Sequence, residues 1–236
     1  MKEKKNIIMI GVAIGIVAII AIFFGGRFAY KKYQENILRE EAATLTKKDI
    51  TKDNFNTEIK SKGDYAVVEK AMKEYLADYG TAAKKTLVIL NDKKLSNLLS
   101  AETIKSDMPK FEETKKYLEK TRKELDTYMG SMITMTSDKA MMDKIKKTKV
   151  STYYQNLYRE LMLDSSLSSS LKEAQSELVA SREKMTKLFD IYDNVFQFLI
   201  DNEGNYELSG RMLLFKNQSL LSQYNSYINQ IRRAAF

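Results

Sequence analysis

The chain has 236 residues, a formal net charge of +8, one proline and no cysteine, histidine or tryptophan. These absences exclude disulfides, thiol nucleophiles, thiolate zinc sites, serine-histidine triads and imidazole metal ligands, so any catalysis would fall to carboxylates, lysine, serine or tyrosine. Residues 1–62 hold 12 Lys and Arg against 7 Asp and Glu, which is +5 of the +8, and further along the chain lysines alternate with acids instead of forming the dense basic face of a nucleic-acid binder.

A short basic tail, residues 1–6, precedes the feature around which the chain is organised. Ile7 to Phe24, IIMIGVAIGIVAIIAIFF, is eighteen residues without a charge, an amide or a hydroxyl. As a helix it is about 27 Å long, the hydrocarbon thickness of a bilayer, and it has no polar face with which to meet water. It is too long for the apolar part of a secretory signal and is followed by strongly basic residues with no small-x-small cleavage site, so the expectation is an uncleaved single-pass anchor over residues 7–26. Gly11 and Gly15 form a G-x-x-x-G, a spacing that permits close helix packing in lipid. On the far flank Tyr30 and Tyr33 suit headgroup depth, and Arg27, Lys31 and Lys32 can snorkel toward phosphate. The basic charge on the two flanks is nearly balanced. The short basic N-tail decides the expected orientation, with the N-terminus inside and the following domain outside.

Residues 27–62 read as a juxtamembrane helix that runs into a polar stalk in which Ile50, Phe55 and Ile59 are the apolar residues. Residues 63–236 read as an elongated, all-α bundle of four or five helices, long enough to bury its own core. After Gly63-Asp64, apolar residues recur at three-four spacing from Val67 to Leu90. Asp107-Met108-Pro109 has the chemistry of a helix start, and Phe111, Leu118, Leu125 and Met132 follow at sevens as a bundle seam. Met142 to Leu161 reads as one further helix. Asp164 to Glu173 is either a loop or a serine-rich stutter within a helix. Leu171, Leu178, Met185, Tyr192 and Leu199 repeat at sevens. A small β-hairpin is expected near residues 205–215, and a last helix begins near Asn217 or Gln218.

Two motifs carry candidate chemistry. Ser181 with Lys184 matches S-x-x-K, and Tyr192-Asp193-Asn194 matches a Y-x-N element, but both lie in one charged helix and the chain lacks K-T-G, so no catalytic residue is assigned. Met129, Met132 and Met135, with Met141 and Met142, form a thioether cluster able to take a soft cation such as Cu(I), although methionine is ordinarily adaptable core filler. No metal ligand and no cofactor follow from the sequence.

The functional expectation is a non-enzymatic, membrane-anchored interaction or scaffolding protein of a bacterial cell envelope. Its partners are the lipid bilayer and either another protein or a second copy of itself. The alternative is an extracytoplasmic ligand-sensing or binding domain that acts through a partner.

Overall fold

The computed structural model describes residues 31–47, 58–163 and 165–234. The apolar run of residues 7–24 lies outside them, and among the described residues no helix is long and apolar enough to cross a membrane. The described chain is helical with a single hairpin: α1 Lys31–Lys47, α2 Asp64–Leu90, α3 Lys93–Ser96, α4 Ala101–Asp107, α5 Glu112–Met135, α6 Asp138–Lys146, α7 Thr152–Met162, α8 Ser165–Asp201, β1 Tyr206–Ser209, β2 Met212–Phe215 and α9 Gln218–Ala234.

The chain divides into two compact units. The first comprises Met1–Lys85 and Tyr128–Val179, and the second comprises Thr86–Thr127 and Ala180–Phe236. In unit 1 the core joins Leu38 and Ala42 of α1, Val68, Met72 and Leu76 of α2, Met141, Met142 and Ile145 of α6, and Leu157, Tyr158 and Leu161 of α7. The expected three-four register of α2 is therefore the register that is buried. The segment ahead of Gly63, expected as a juxtamembrane helix and polar stalk, contributes to this same core: Leu38 is 0% exposed.

Unit 2 is built on aromatic contacts. Phe111 packs on Phe196 with ring centroids 5.2 Å apart, and Phe215 meets Phe198, Tyr206 and Tyr224 at 5.9, 5.8 and 5.2 Å. Charge pairs bind α5 to α8 at the rim: Arg122 contacts Asp190 at 2.8 Å and Asp193 at 2.7 Å, and Arg182 contacts Asp126. The strands are antiparallel, with Tyr206 opposite Phe215 and Leu208 opposite Leu213. Gly210 has φ +60°, the conformation that the first central position of a two-residue type II′ hairpin loop requires.

Two details differ from the sequence reading, and one that it left open is decided. Asp107 does cap α5, since its carboxylate accepts from the Glu113 and Thr114 N–H groups at 3.2 and 2.6 Å, but it does so from the end of α4, and the helix starts at Glu112. The single helix expected from Met142 to Leu161 is two, α6 and α7, separated at residues 147–151. Thr148 turns its hydroxyl back onto the Ile145 carbonyl at 2.6 Å and ends α6, while Val150 is buried from the connection and so keeps the apolar spacing going across the break. The serine-rich stretch, open between a loop and a stutter within a helix, is helix: α8 runs from Ser165 onward.

If α1 is part of the unit 1 core, Leu38→Ala lowers the unfolding free energy of the full chain by about 2–5 kcal/mol. Ile59→Ala, at a surface position, changes it by no more than about 0.5 kcal/mol. Urea unfolding in detergent micelles, followed by circular dichroism, measures both; equal small effects would contradict the packing.

Candidate functional site

The most unusual chemistry among the described residues is a buried ionic cluster in unit 1. Glu69 and Lys73 stand one turn apart on α2, with the acid N-terminal to the base, the favourable order for such a pair. Both lie at the edge of the apolar arc formed by Val68, Met72 and Leu76, and both are buried: Glu69 is 0% and Lys73 2% exposed. Lys73 Nζ donates to Glu69 Oε1 at 2.6 Å and to the Glu58 carbonyl at 2.5 Å, and it pairs with Glu41 Oε2 of α1 at 2.8 Å. An ammonium has three hydrogens to donate, and here it meets three acceptors.

The second carboxylate oxygen of Glu69 is also engaged. It accepts from the Ser61 N–H at 2.8 Å, the Ser61 hydroxyl at 2.6 Å and the Lys60 N–H at 3.0 Å. Lys60 Nζ pairs with the other oxygen of Glu41. The cluster thus holds two carboxylates against two ammonium groups, of which Lys60 is half exposed and Lys73 is not. Burial by itself pushes both glutamates up. The bonds and charges of Lys60 and Lys73 outweigh it for Glu41, and those of Lys73, Ser61 and Lys60 outweigh it for Glu69, so each carboxyl ends below its ordinary value of 4.5.

The first turn of α1 makes a second set of polar contacts. Gln34 Oε1 accepts from the Lys62 N–H at 2.9 Å, and Glu35 Oε1 accepts from the Tyr153 hydroxyl at 2.6 Å. Burial, and then the bond to Glu35, hold the Tyr153 phenol well above its ordinary value. Tyr153 stacks edge-on to Tyr154, and Tyr154 to Tyr65, each pair with centroids 5.0 Å apart. These contacts bring the start of α1, the 58–65 segment and the start of α7 together.

The residues singled out from sequence fall elsewhere. Gly11, Gly15, Arg27 and Tyr30 lie outside the described residues, and Lys31 opens α1. Lys32 and Tyr33 are exposed in the first turn of α1, Tyr33 by 70%. Ser181 and Lys184 occupy α8, and their neighbour Arg182 is committed to Asp126. Met129, Met132, Met141 and Met142 are buried, and Met135 packs partly buried against the unit 1 core. Among the described residues no group of three or more carboxylates is placed to hold a metal ion. In unit 2 the outer face of the hairpin leaves Met212 65% and Leu214 44% exposed.

The Glu41–Lys73–Glu69 cluster was missed by the sequence reading because its parts look like ordinary solvated helix charges. Its one available signal was that Glu69 and Lys73, four residues apart, flank the buried stripe of α2. In a chain with 30% charged residues such pairs are common on solvent faces, so the spacing alone does not single this one out. No protein-family model, curated protein or solved structure matches the chain.

A folded-state pKa below the unfolded one means that the unfolded chain takes up protons first as the pH drops. The stabilisation from Glu41 and Glu69 is fully present above their ordinary value of 4.5 and is lost as the pH falls through the lower folded values. Urea unfolding of the full chain between neutral pH and about pH 3 is expected to show this loss below about pH 4.5. Glu69→Gln should be the less stable protein at neutral pH, with the difference from the parent shrinking through the acid range; a constant difference would contradict the assignment.

Proposed function

We propose that this chain is a membrane-anchored, non-enzymatic helical interaction or scaffolding protein of a bacterial cell envelope. Ile7 to Phe24 is its single transmembrane span, the N-terminus is inside and the helical units are outside. The span supports the anchor because eighteen residues without a polar group suit a bilayer and do not suit a solvated helix.

The observation that carries the interaction reading is the way α1 is held. It follows the proposed span within seven residues and is built into the unit 1 core by Leu38, Ala42 and Glu41. A protein whose task was only to stay near the membrane would need no such attachment, whereas one that positions a partner benefits from a first helix fixed to the body that presents the binding surface. The outer face of the hairpin, where Met212 and Leu214 are exposed beside Ser209 and Glu207, is a mixed surface on which a partner could seat.

The absence of native cysteine makes the test direct. Ser226, exposed on α9, is changed to Cys and challenged in intact cells with a membrane-impermeant maleimide. Labelling in intact cells and retention in the membrane after alkaline washing are expected. Adding Ala13→Asp and Val17→Asp, each costing about 3 kcal/mol at the centre of a span, should release the protein. Release of the unmodified chain would sink the anchor, and labelling only after lysis, repeated at a second exposed site, would reverse the orientation.

A further inference from the structure

The solvent face of α9 differs in chemistry from those of α5 and α8. Of its ten exposed positions, which run from Gln218 to Arg233, only Arg232 and Arg233 are charged. Both belong to the last turn, where a cation suits the helix end. The exposed residues before them are serine, asparagine or glutamine without exception. On α5, by contrast, the exposed positions include Glu112, Glu119, Lys120 and Asp126, and on α8 Glu183, Lys184, Lys187 and Asp190 stand outward. In a chain that is 30% charged, more than three turns of helix surface without a charge need a reason. Ser222, Asn225, Ser226, Asn229, Gln230 and Arg233 line an open recess along this face. The helix is fastened to unit 2 from its other side, by Tyr224 on Phe215 and Tyr227 on Phe198, with ring centroids 5.2 and 5.8 Å apart. At about 3.6 residues per turn, the recess and these two rings stand on opposite sides of α9.

The chemistry of the recess narrows its occupant. A charged partner finds no opposite charge there beyond Arg233, and a lipid surface finds no apolar side chain. A sugar needs an aromatic face on which to stack its C–H groups, and both tyrosines of α9 are turned into unit 2. A hydroxyl or a carboxamide both donates and accepts, so a face built from them is complementary to itself. It can also be covered without stripping water from an ion. Among one another these groups make a single bond among the described residues, Gln230 Nε2 to Ser226 Oγ at 3.4 Å, at the long limit for such a bond. Arg233 sets the direction of a self-pairing. Two copies side by side in parallel would set Arg233 against Arg233, whereas antiparallel copies set Arg233 over Ser222, Gln230 over Asn225 and Asn229 over Ser226.

We infer that this face of α9 is a self-association surface, which pairs antiparallel with the same face of a second copy of the chain. On the interaction reading, on which this rests, the second copy is the partner. The 17-residue helix is about 25 Å long, which offers each copy far less than the roughly 800 Å² per side of a standard interface. The pairing is therefore weak between free molecules and forms where a shared bilayer concentrates them. A weak, exchanging contact of this kind leaves a thiol on α9 reactive toward a small maleimide.

The test uses the full-length chain in phosphatidylcholine vesicles and a short bifunctional maleimide, with one cysteine at Asn229→Cys, at Ser222→Cys or, away from this face, at Lys184→Cys, all exposed positions. In the antiparallel pair the two Asn229 positions lie about 5 Å apart along the helices and the two Ser222 positions about 16 Å apart. Asn229→Cys is expected to give several-fold more cross-linked dimer than either of the others. Adding Asn225→Glu with Gln230→Glu sets acid against acid and should cut that yield several-fold, as should Asn225→Lys with Gln230→Lys. Mixing the acidic and basic chains before reconstitution should restore it. Equal yields at Asn229→Cys and Lys184→Cys, or a yield at Asn229→Cys indifferent to the added charges, with the protein floating with the vesicles, would overturn the pairing and leave the anchor standing. Equal yields at Asn229→Cys and Ser222→Cys, both above Lys184→Cys, would overturn the antiparallel direction. Failure to float would remove the anchor, and the bilayer-dependent pairing with it.

Discussion

A lysine ammonium that is 2% exposed can be kept charged only if every hydrogen it carries finds an acceptor, and that constraint shapes unit 1. Lys73 draws its acceptors from three places in the chain: Glu69 one turn earlier on α2, Glu41 on α1, and the backbone of Glu58. The group cannot be satisfied unless α1 and the 58–61 segment are both docked. Removing one member of a buried set of this kind costs about 3–5 kcal/mol, because the charges left behind have neither water nor partner. Replacing the whole set with apolar residues would cost far less, so the cluster specifies where α1 sits more than it adds to net stability.

This arrangement connects the proposed anchor with the rest of the protein. A polar stalk would let a tethered domain drift, but here α1, the first described helix after the apolar run in sequence, shares a core with α2, α6 and α7. Unit 2 is held differently, by the aromatic pairs Phe111–Phe196 and Phe198–Phe215 and by the Arg122 and Arg182 pairs at its rim. The half-exposed arginine pairs add little to stability individually, and the aromatic burial dominates. The hairpin covers its inner face with Tyr206, Leu208, Leu213 and Phe215 and turns Met212 and Leu214 outward.

Much of the helical pattern was legible because burial obeys periodicity. The seam at Phe111, Leu118, Leu125 and Met132 is buried at every position, and the hairpin lies where its turn residues put it. What misled the sequence reading was burial without periodic structure: Val150 keeps helical spacing with Tyr154 and Leu157 although a connection carries it. Ser170 with Glu173 fits a capping box while Leu163, Leu167 and Leu171 keep four-residue spacing, which left residues 164–173 undecided until α8 was seen to run through them. The buried cluster was the least legible feature, since Glu41 and Glu58 meet Lys73 across sequence separations that no local pattern encodes. Of the candidate residues at the membrane, Gly11, Gly15, Arg27 and Tyr30 lie outside the described residues, and Lys32 and Tyr33 are exposed in the first turn of α1.

The central claim is that α1 is a structural part of unit 1, fixed there by Lys73 and the surrounding core. Native-state hydrogen exchange on the full-length protein in detergent or bilayer tests it most directly, by comparing the amides of residues 38–43 with those of residues 68–76 in α2. The account predicts that both sets open with the same free energy and lose protection together in Lys73→Met. Fast exchange of residues 38–43 beside a protected α2, unchanged by that substitution, would show α1 to be a free stalk and would contradict it.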